Sequence, residues 1–171
     1  SPSADGICPL IVHNTICVIA GPKGYREVSV DEFCVSPGRN LLDEGEFLVS
    51  LKVPLPTTGF GAAYERFIPR NEMDIAVAAV GSSVVIDGGK ITDSKIALAA
   101  VGPTPIYAEK ASEFLEGKDA SDENLNQASQ IAEDSCSPIT DMRGDVEFRK
   151  HLIGVLTRRT LDLAIKRAGG N

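Results

Sequence analysis

The sequence contains no tryptophan, two histidines, two methionines and four cysteines among its 171 residues. Each shortage excludes something. Cys8, Cys17, Cys34 and Cys136 include no CxxC pair, and neither His13 nor His151 completes a zinc-ligand spacing, so a structural zinc site is not expected. Four scattered thiols in an acidic chain argue against a disulfide scaffold and for a reduced, cytoplasmic protein. Basic residues are the minority: 17 Lys and Arg stand against 24 Asp and Glu, giving a net charge of -7 and a pI of about 4.8. That balance leaves no broad basic face for a phosphate backbone, so nucleic acid is not an expected partner. No apolar run reaches the roughly 18–20 residues of a membrane span. Neither GxxxxGK[ST] nor GxGxxG occurs, and GxSxG is absent. Gly59-Phe60-Gly61 follows a strand-like stretch, but no third glycine and no helix follow it. The chain therefore shows no phosphate loop, no nucleophile elbow and no self-contained active site.

What is present is ordinary globular material, 43% hydrophobic and 24% charged, without repeats or low-complexity segments. Ser1 opens the chain and the methionines are Met73 and Met142, so a processed or trimmed piece of a longer protein is expected. Thr15 to Ala20 reads as a strand, Gly21-Pro22-Lys23-Gly24 as a turn, and Tyr25 to Val30 as the returning strand. Asp31 is placed to cap a short helical turn, DEFC, and Ser36-Pro37-Gly38-Arg39-Asn40 reads as an irregular loop. Phe47 to Pro54 alternates and should be a strand ended by its proline.

From Gly59 onward three strands follow one another: Ala62–Ile68, the near-continuous apolar run Ile75–Ile86, and, after the Asp87-Gly88-Gly89-Lys90 turn, Ile91 onward. They predict an antiparallel meander with one buried face. Pro103 and Pro105 end it. Helical spacing then predicts a short helix before Gly117. A second helix is capped by Ser121 and carries Leu125, Ala128, Ala132 and Cys136 on one face. A long third opens near Asp145 with a stripe of Phe148, Leu152, Val155, Leu156 and Leu163. Strands followed by helices mean α+β: a three-stranded antiparallel sheet with a small helical bundle on one face.

The most unusual stretch is Tyr64-Glu65-Arg66-Phe67-Ile68-Pro69-Arg70-Asn71-Glu72-Met73-Asp74-Ile75-Ala76, which sets charges between two apolar strands. Such a connector is usually solvated surface, or it is a polar cluster at a ligand edge. Arg66 lies in its strand-like part, from which it could reach an anion or pair with Glu72 or Asp74. His13 and His151 read as surface or structural groups.

Three separated segments carry a resemblance over nearly the whole chain: the opening SPSAD, YERFIPRNEMDIAVAAVGSSV, and DMRGDVEFRKHLIGVLTRR. In this order they resemble the FAD-binding medium subunit of molybdenum hydroxylases, the family of carbon monoxide dehydrogenase, xanthine dehydrogenase and aldehyde oxidoreductases. The resemblance implies that residues 1–43 are the tail of an FAD-binding subdomain and 44–171 a domain like the CO dehydrogenase flavoprotein C-terminal domain. The glycine-rich half that holds the FAD pyrophosphate would precede Ser1. Carried over position by position, Asp5 would accept hydrogen bonds from FAD, Leu48 would lie beside its ring, and Arg66 would stand near the ring where the family often has lysine. The Pro37-Gly38-Arg39-Asn40 loop would pass close by. Without the family, Asp5 reads as a turn cap, Leu48 as a core strand residue and Arg66 as half of an ion pair.

The implied partners are the missing N-terminal half, an iron–sulfur small subunit with two [2Fe–2S] clusters, and a large subunit bearing the molybdenum cofactor. The implied role is electron transfer through FAD, with this piece inactive alone. The rival reading is a stand-alone structural or subunit-interaction domain without flavin.

Overall fold

A computed structural model describes residues 1–70 and 74–169. Among them the chain forms α1 (Ile7–Val12), β1 (Ile16–Gly21), β2 (Gly24–Ser29), β3 (Cys34–Ser36), β4 (Arg39–Asn40), β5 (Phe47–Lys52) and β6 (Phe60–Phe67). Then follow β7 (Ala78–Asp87), β8 (Lys90–Ala99), β9 (Ile106–Tyr107), α2 (Glu109–Leu115), α3 (Asp122–Asp134) and α4 (Val146–Arg167). The class is α+β, as its strand-then-helix order predicts. Among the described residues no helix is long and apolar enough to cross a membrane.

The centre is an antiparallel sheet in the order β6-β7-β8-β9. The expected three-strand meander gains β9, two residues that pair Ile106 with Leu98 and Tyr107 with Ala97. The larger departure is that both faces are covered. Val80 and Val84 on β7, with Ile96 and Leu98 on β8, join α2, α3 and α4 in one core. Ala79 and Ala97 face the other way, into a second core with Cys8, Ile11 and Val12 of α1. Two-sided burial explains why the Ile75–Ile86 run is almost continuously apolar rather than alternating. It also explains the choice of residues: large side chains fill the helical side, and small ones let α1 lie close to the sheet.

Gly81 marks the closest approach on that small-residue side. A β-carbon there would stand 3.1 Å from Cβ of Cys8 and 3.2 Å from its carbonyl carbon and oxygen, tighter than ordinary packing. At the other end of α1, Ser83 donates its hydroxyl proton to the Val12 carbonyl at 2.9 Å, satisfying one orphan carbonyl of the helix. No local pattern predicts α1. ICPLIV is six residues, mostly β-branched or proline, with no side-chain cap, so nothing local announces a helix.

The amino-terminal strands form a separate sheet in the order β2-β1-β5. Here β5, which follows position 43, pairs with β1, which precedes it. The Arg26 guanidinium forks onto Glu46, with Nε at 2.8 Å from Oε1 and Nη2 at 2.6 Å from Oε2. Two local expectations fail. Asp31 caps no helix: residues 31–33 turn, and its carboxylate accepts the Ser29 hydroxyl. The segment around Pro37-Gly38 is not irregular but the tip of a tight β3–β4 hairpin pairing Ser36 with Arg39.

On α4, Leu152 and Leu156 are buried as expected, but Phe148 is exposed and Val155 and Leu163 are only half covered. The buried stripe instead adds Arg149, Ile153, Thr157, Thr160, Leu161, Ala164 and Ile165. The sheet tolerates polar groups there because Ser82 and Thr160 share a hydrogen bond of 2.7 Å. Asp145 and Ser121 do cap α4 and α3, accepting from the amides of Phe148 and Asn124.

All four cysteines are free. Burial pushes the Cys8 thiol up to about 12 and, with burial again the first cause, Cys136 up to about 11. Only Cys34 is half-exposed; the other three are buried. Because the thiolate is the nucleophile, a thiol reagent at neutral pH should label one cysteine quickly and the remaining three only after denaturant is added. Rapid native labelling of Cys8 would contradict the docking of α1.

Candidate functional site

The site grows from the close docking of α1. Tyr64 and Arg66 are two residues apart on β6, so their side chains share a face. They stand opposite Gly81 and Ala79, on the small-residue side that carries α1. Asp5 immediately precedes Gly6, the N-cap residue of α1. The helix thus delivers Asp5 to the β6 face, and there its carboxylate is shared. Oδ1 accepts the Tyr64 phenol proton at 3.0 Å. Oδ2 accepts from Nη1 of Arg66 in a close ion pair.

This arrangement fixes which cap and which ion pair form. Asp5 caps no turn: the α1 N-cap has no side-chain hydrogen bond, and both carboxylate oxygens go to β6. Arg66 does not pair with Asp74, which meets Arg70 at 3.3 Å and Arg143 at 4.0 Å. Glu72 lies outside the described residues. The Asp5 and Arg66 side chains remain 46% and 31% exposed, open enough to meet a ligand. Tyr64 is half-buried, and its phenol is held above the usual tyrosine range, first by burial and then by its hydrogen bond to Asp5.

Leu48 lies on a different sheet from this cluster. It sits on β5 opposite Ile19, in the amino-terminal sheet, and is 39% exposed rather than a core residue. Its neighbours Phe47, Val49 and Leu51 on the same strand are exposed too. The Pro37-Gly38-Arg39-Asn40 segment adjoins Ser1 and Pro2, with which it lines a hollow of about 160 Å³. Beside it a larger cavity of about 420 Å³ is lined by Pro2, Ser3, Ile75, Asp141, Arg143 and Arg149, among others. His13 meets Phe60 with tilted rings 5.1 Å apart, His151 is exposed on α4, and neither takes part in the Asp5 hydrogen bonds. Among the described residues no group of acidic, histidine or cysteine side chains could hold a metal ion.

Two residues of this region escaped the sequence reading. Tyr64 opens the charged stretch, and the period-two rule would have set it beside Arg66. Arg149 stands outside the expected α4 stripe and is 4% exposed.

Comparison with known proteins identifies the family of this fold. The family described as the CO dehydrogenase flavoprotein C-terminal domain matches residues 62–164, from within β6 to near the end of α4. The chain belongs to that family. As a member of the CO dehydrogenase flavoprotein C-terminal domain family it has full-length relatives of known name. It is 34% identical over 150 residues to the carbon monoxide dehydrogenase medium chain of Afipia carboxidovorans, covering 88% of this chain and 52% of that one. It is 28% identical over 169 residues to the xanthine dehydrogenase FAD-binding subunit of Escherichia coli O157:H7, covering 98% and 58%. Among solved structures, a carbon monoxide dehydrogenase from Hydrogenophaga pseudoflava superposes with a TM-score of 0.93 at 32% identity, over 98% of this chain and 58% of that one. The chain spans about half the length of the curated relatives it matches.

The donor set fits a flavin. A ring with carbonyl acceptors and an N–H donor, carrying a hydroxylated chain, needs a cation, an acceptor and a shape-giving wall. Arg66, Asp5 and the half-buried Tyr64 offer these, side by side and partly open. The described residues hold no glycine-rich phosphate cradle, so the pyrophosphate would be held elsewhere.

Proposed function

We propose that this chain is part of the FAD-binding medium subunit of a molybdenum-containing oxidoreductase and forms one wall of its flavin site. Bound FAD would supply the electron-carrying chemistry, linking iron–sulfur clusters on a small subunit to an external acceptor, while substrate reacts at a molybdenum cofactor on a large subunit. The residues of this chain bind and tune. Arg66 would present positive charge to the polar edge of the ring. Asp5 would accept hydrogen bonds from the cofactor and fix the Arg66 side chain. Leu48, exposed on β5, would cover apolar ring surface. The remaining cradle would come from the part of the full-length relatives that this chain does not match. Four free thiols are consistent with a cytoplasmic setting.

The single observation that carries this reading is the Asp5–Arg66 pair, open to solvent, in a chain of this family. The same pair in a structural domain would be a surface ion pair of small value, about 0–1 kcal/mol. The two readings therefore predict different phenotypes for Arg66→Ala in the complete subunit. A flavin role predicts FAD release at least about tenfold easier, as for loss of a charge-assisted hydrogen bond, and a more negative flavin potential. Both are read by flavin fluorescence on dilution and by redox titration. Full, unchanged flavin occupancy and potential would favour the structural domain.

A further inference from the structure

We propose that Tyr64 is a positioning residue for Arg66: by occupying one oxygen of Asp5 it keeps the Asp5–Arg66 pair single-handed and leaves the rest of the guanidinium fork for the cofactor. This inference rests on the flavin reading above and goes beyond it, since that reading assigns Tyr64 nothing.

A carboxylate beside an arginine ordinarily closes on it with two parallel N–H···O bonds, because the spacing of the fork matches that of the two oxygens. The Arg26–Glu46 pair in this same chain does so, with Nε on Oε1 and Nη2 on Oε2. The Asp5–Arg66 pair does not. Its Oδ1 accepts the Tyr64 phenol at 3.0 Å and no guanidinium nitrogen, while Oδ2 meets a single guanidinium nitrogen, Nη1. Nε and Nη2 of Arg66 have no hydrogen-bond partner among the described residues. A guanidinium closed on both oxygens spends two of its five N–H donors and fixes its plane to the carboxylate. One held by a single nitrogen is both oriented and available.

The hold on Tyr64 is itself structural. The phenol is half-buried beside α1 and opposite Gly81, so its ring is held by the docking of the helix rather than by the ion pair. Its proton stays in place through the neutral and mildly alkaline range, because burial and the Asp5 hydrogen bond both oppose ionisation. The three groups then have distinct parts: α1 places Asp5, Tyr64 divides its oxygens, and Arg66 presents what remains.

The test is a set of variants in the complete flavin-loaded subunit, read by FAD dissociation, flavin potential and thermal unfolding. Tyr64→Phe keeps the ring and removes the proton donor. It should let Arg66 close onto both Asp5 oxygens, weakening FAD binding about tenfold and shifting the flavin potential negative. Arg66→Lys replaces the fork with a point charge that cannot chelate two oxygens. In that background Tyr64→Phe should no longer move the potential. If Arg66→Ala alters the flavin but Tyr64→Phe lowers only the unfolding temperature, the positioning role is wrong and the flavin reading stands. An equal Tyr64→Phe effect in the arginine and lysine backgrounds also overturns it, since the fork would then be irrelevant. If neither Arg66→Ala nor Tyr64→Phe touches the flavin, both readings fall together.

Discussion

Arg149→Ala is expected to destabilise the chain by about 4 kcal/mol, enough to leave a marginal domain largely unfolded at 37 °C. Arg149 is 4% exposed, yet it is a cation in the first turns of α4. Its Nη1 donates to the carbonyls of Val77 at 2.7 Å and Ala100 at 3.2 Å, and its Nη2 to Asp141 at 2.7 Å. These acceptors lie at the start of β7, just past β8 and in the loop before α4, so one side chain ties three segments together. Ala100 makes the tie more demanding. It sits at φ 66°, a left-handed conformation that alanine adopts reluctantly, held by Arg149 on its carbonyl and by its own amide donating to Pro2 at 2.7 Å. Removing the guanidinium orphans two backbone carbonyls, each worth about 1–3 kcal/mol when buried. It also leaves a void and removes the cation that helps hold the Asp141 carboxyl below its usual range, after the Arg143 amide. Denaturant unfolding of wild type, Arg149→Ala and Arg149→Lys measures the effect, with lysine intermediate because it reaches fewer acceptors. A loss below about 1 kcal/mol for alanine would mean that water replaces the guanidinium at no cost, and the tie is not structural.

The second large effect is expected at Gly61. It faces the helical side of the sheet, opposite Val84, where α4 crosses β6. A β-carbon on Gly61 would overlap the Ala164 carbonyl oxygen and the Ala168 amide nitrogen. These are backbone atoms of the last turn of α4, joined to each other by the helical hydrogen bond at 2.9 Å, so neither can rotate away. Gly61→Ala must move the helix off the strand. That also pulls Arg167 from the Ala62 carbonyl, to which it donates at 2.6 Å. Overpacking of this kind costs about 3 kcal/mol. Elsewhere in a strand the same change is mildly favourable, since alanine has the lower entropy cost of folding. The sign is therefore diagnostic: a stabilised Gly61→Ala protein, by thermal or denaturant unfolding, would show that α4 does not pack on β6 as described.

Much of this architecture was legible along the chain. The β7–β8 hairpin shows in its β-branched run and its Asp87-Gly88-Gly89-Lys90 turn, and α3 in its Ser121 cap. What a pattern reports poorly is a surface covered from both sides. A strand buried on one face alternates and can be assigned a side. The Ile75–Ile86 run hardly alternates, which is the mark of a strand covered on both faces, yet it was assigned to a sheet with one buried face because no local signal named α1 as the second cover. The α4 stripe was misplaced for a related reason. Arginine and threonine are counted as outward-facing, while Arg149, Thr157 and Thr160 are buried against acceptors supplied by other segments or by the helix itself. The candidate site divides the same way. Asp5 and Arg66 were singled out by resemblance, but 61 residues separate them, and only the docking of α1 on the Gly81 side brings their charges together.

The residue order alone thus determined the class of the fold, the central hairpin, the caps of its two longer helices and the family signature, because each depends on neighbours within a turn or a strand. Tertiary structure decided the existence of α1, the two-sided burial of the sheet, the interior place of Arg149 and the sharing of the Asp5 oxygens between Tyr64 and Arg66. Those depend on which distant atoms come within a few ångströms, and no local propensity encodes a distance across the chain.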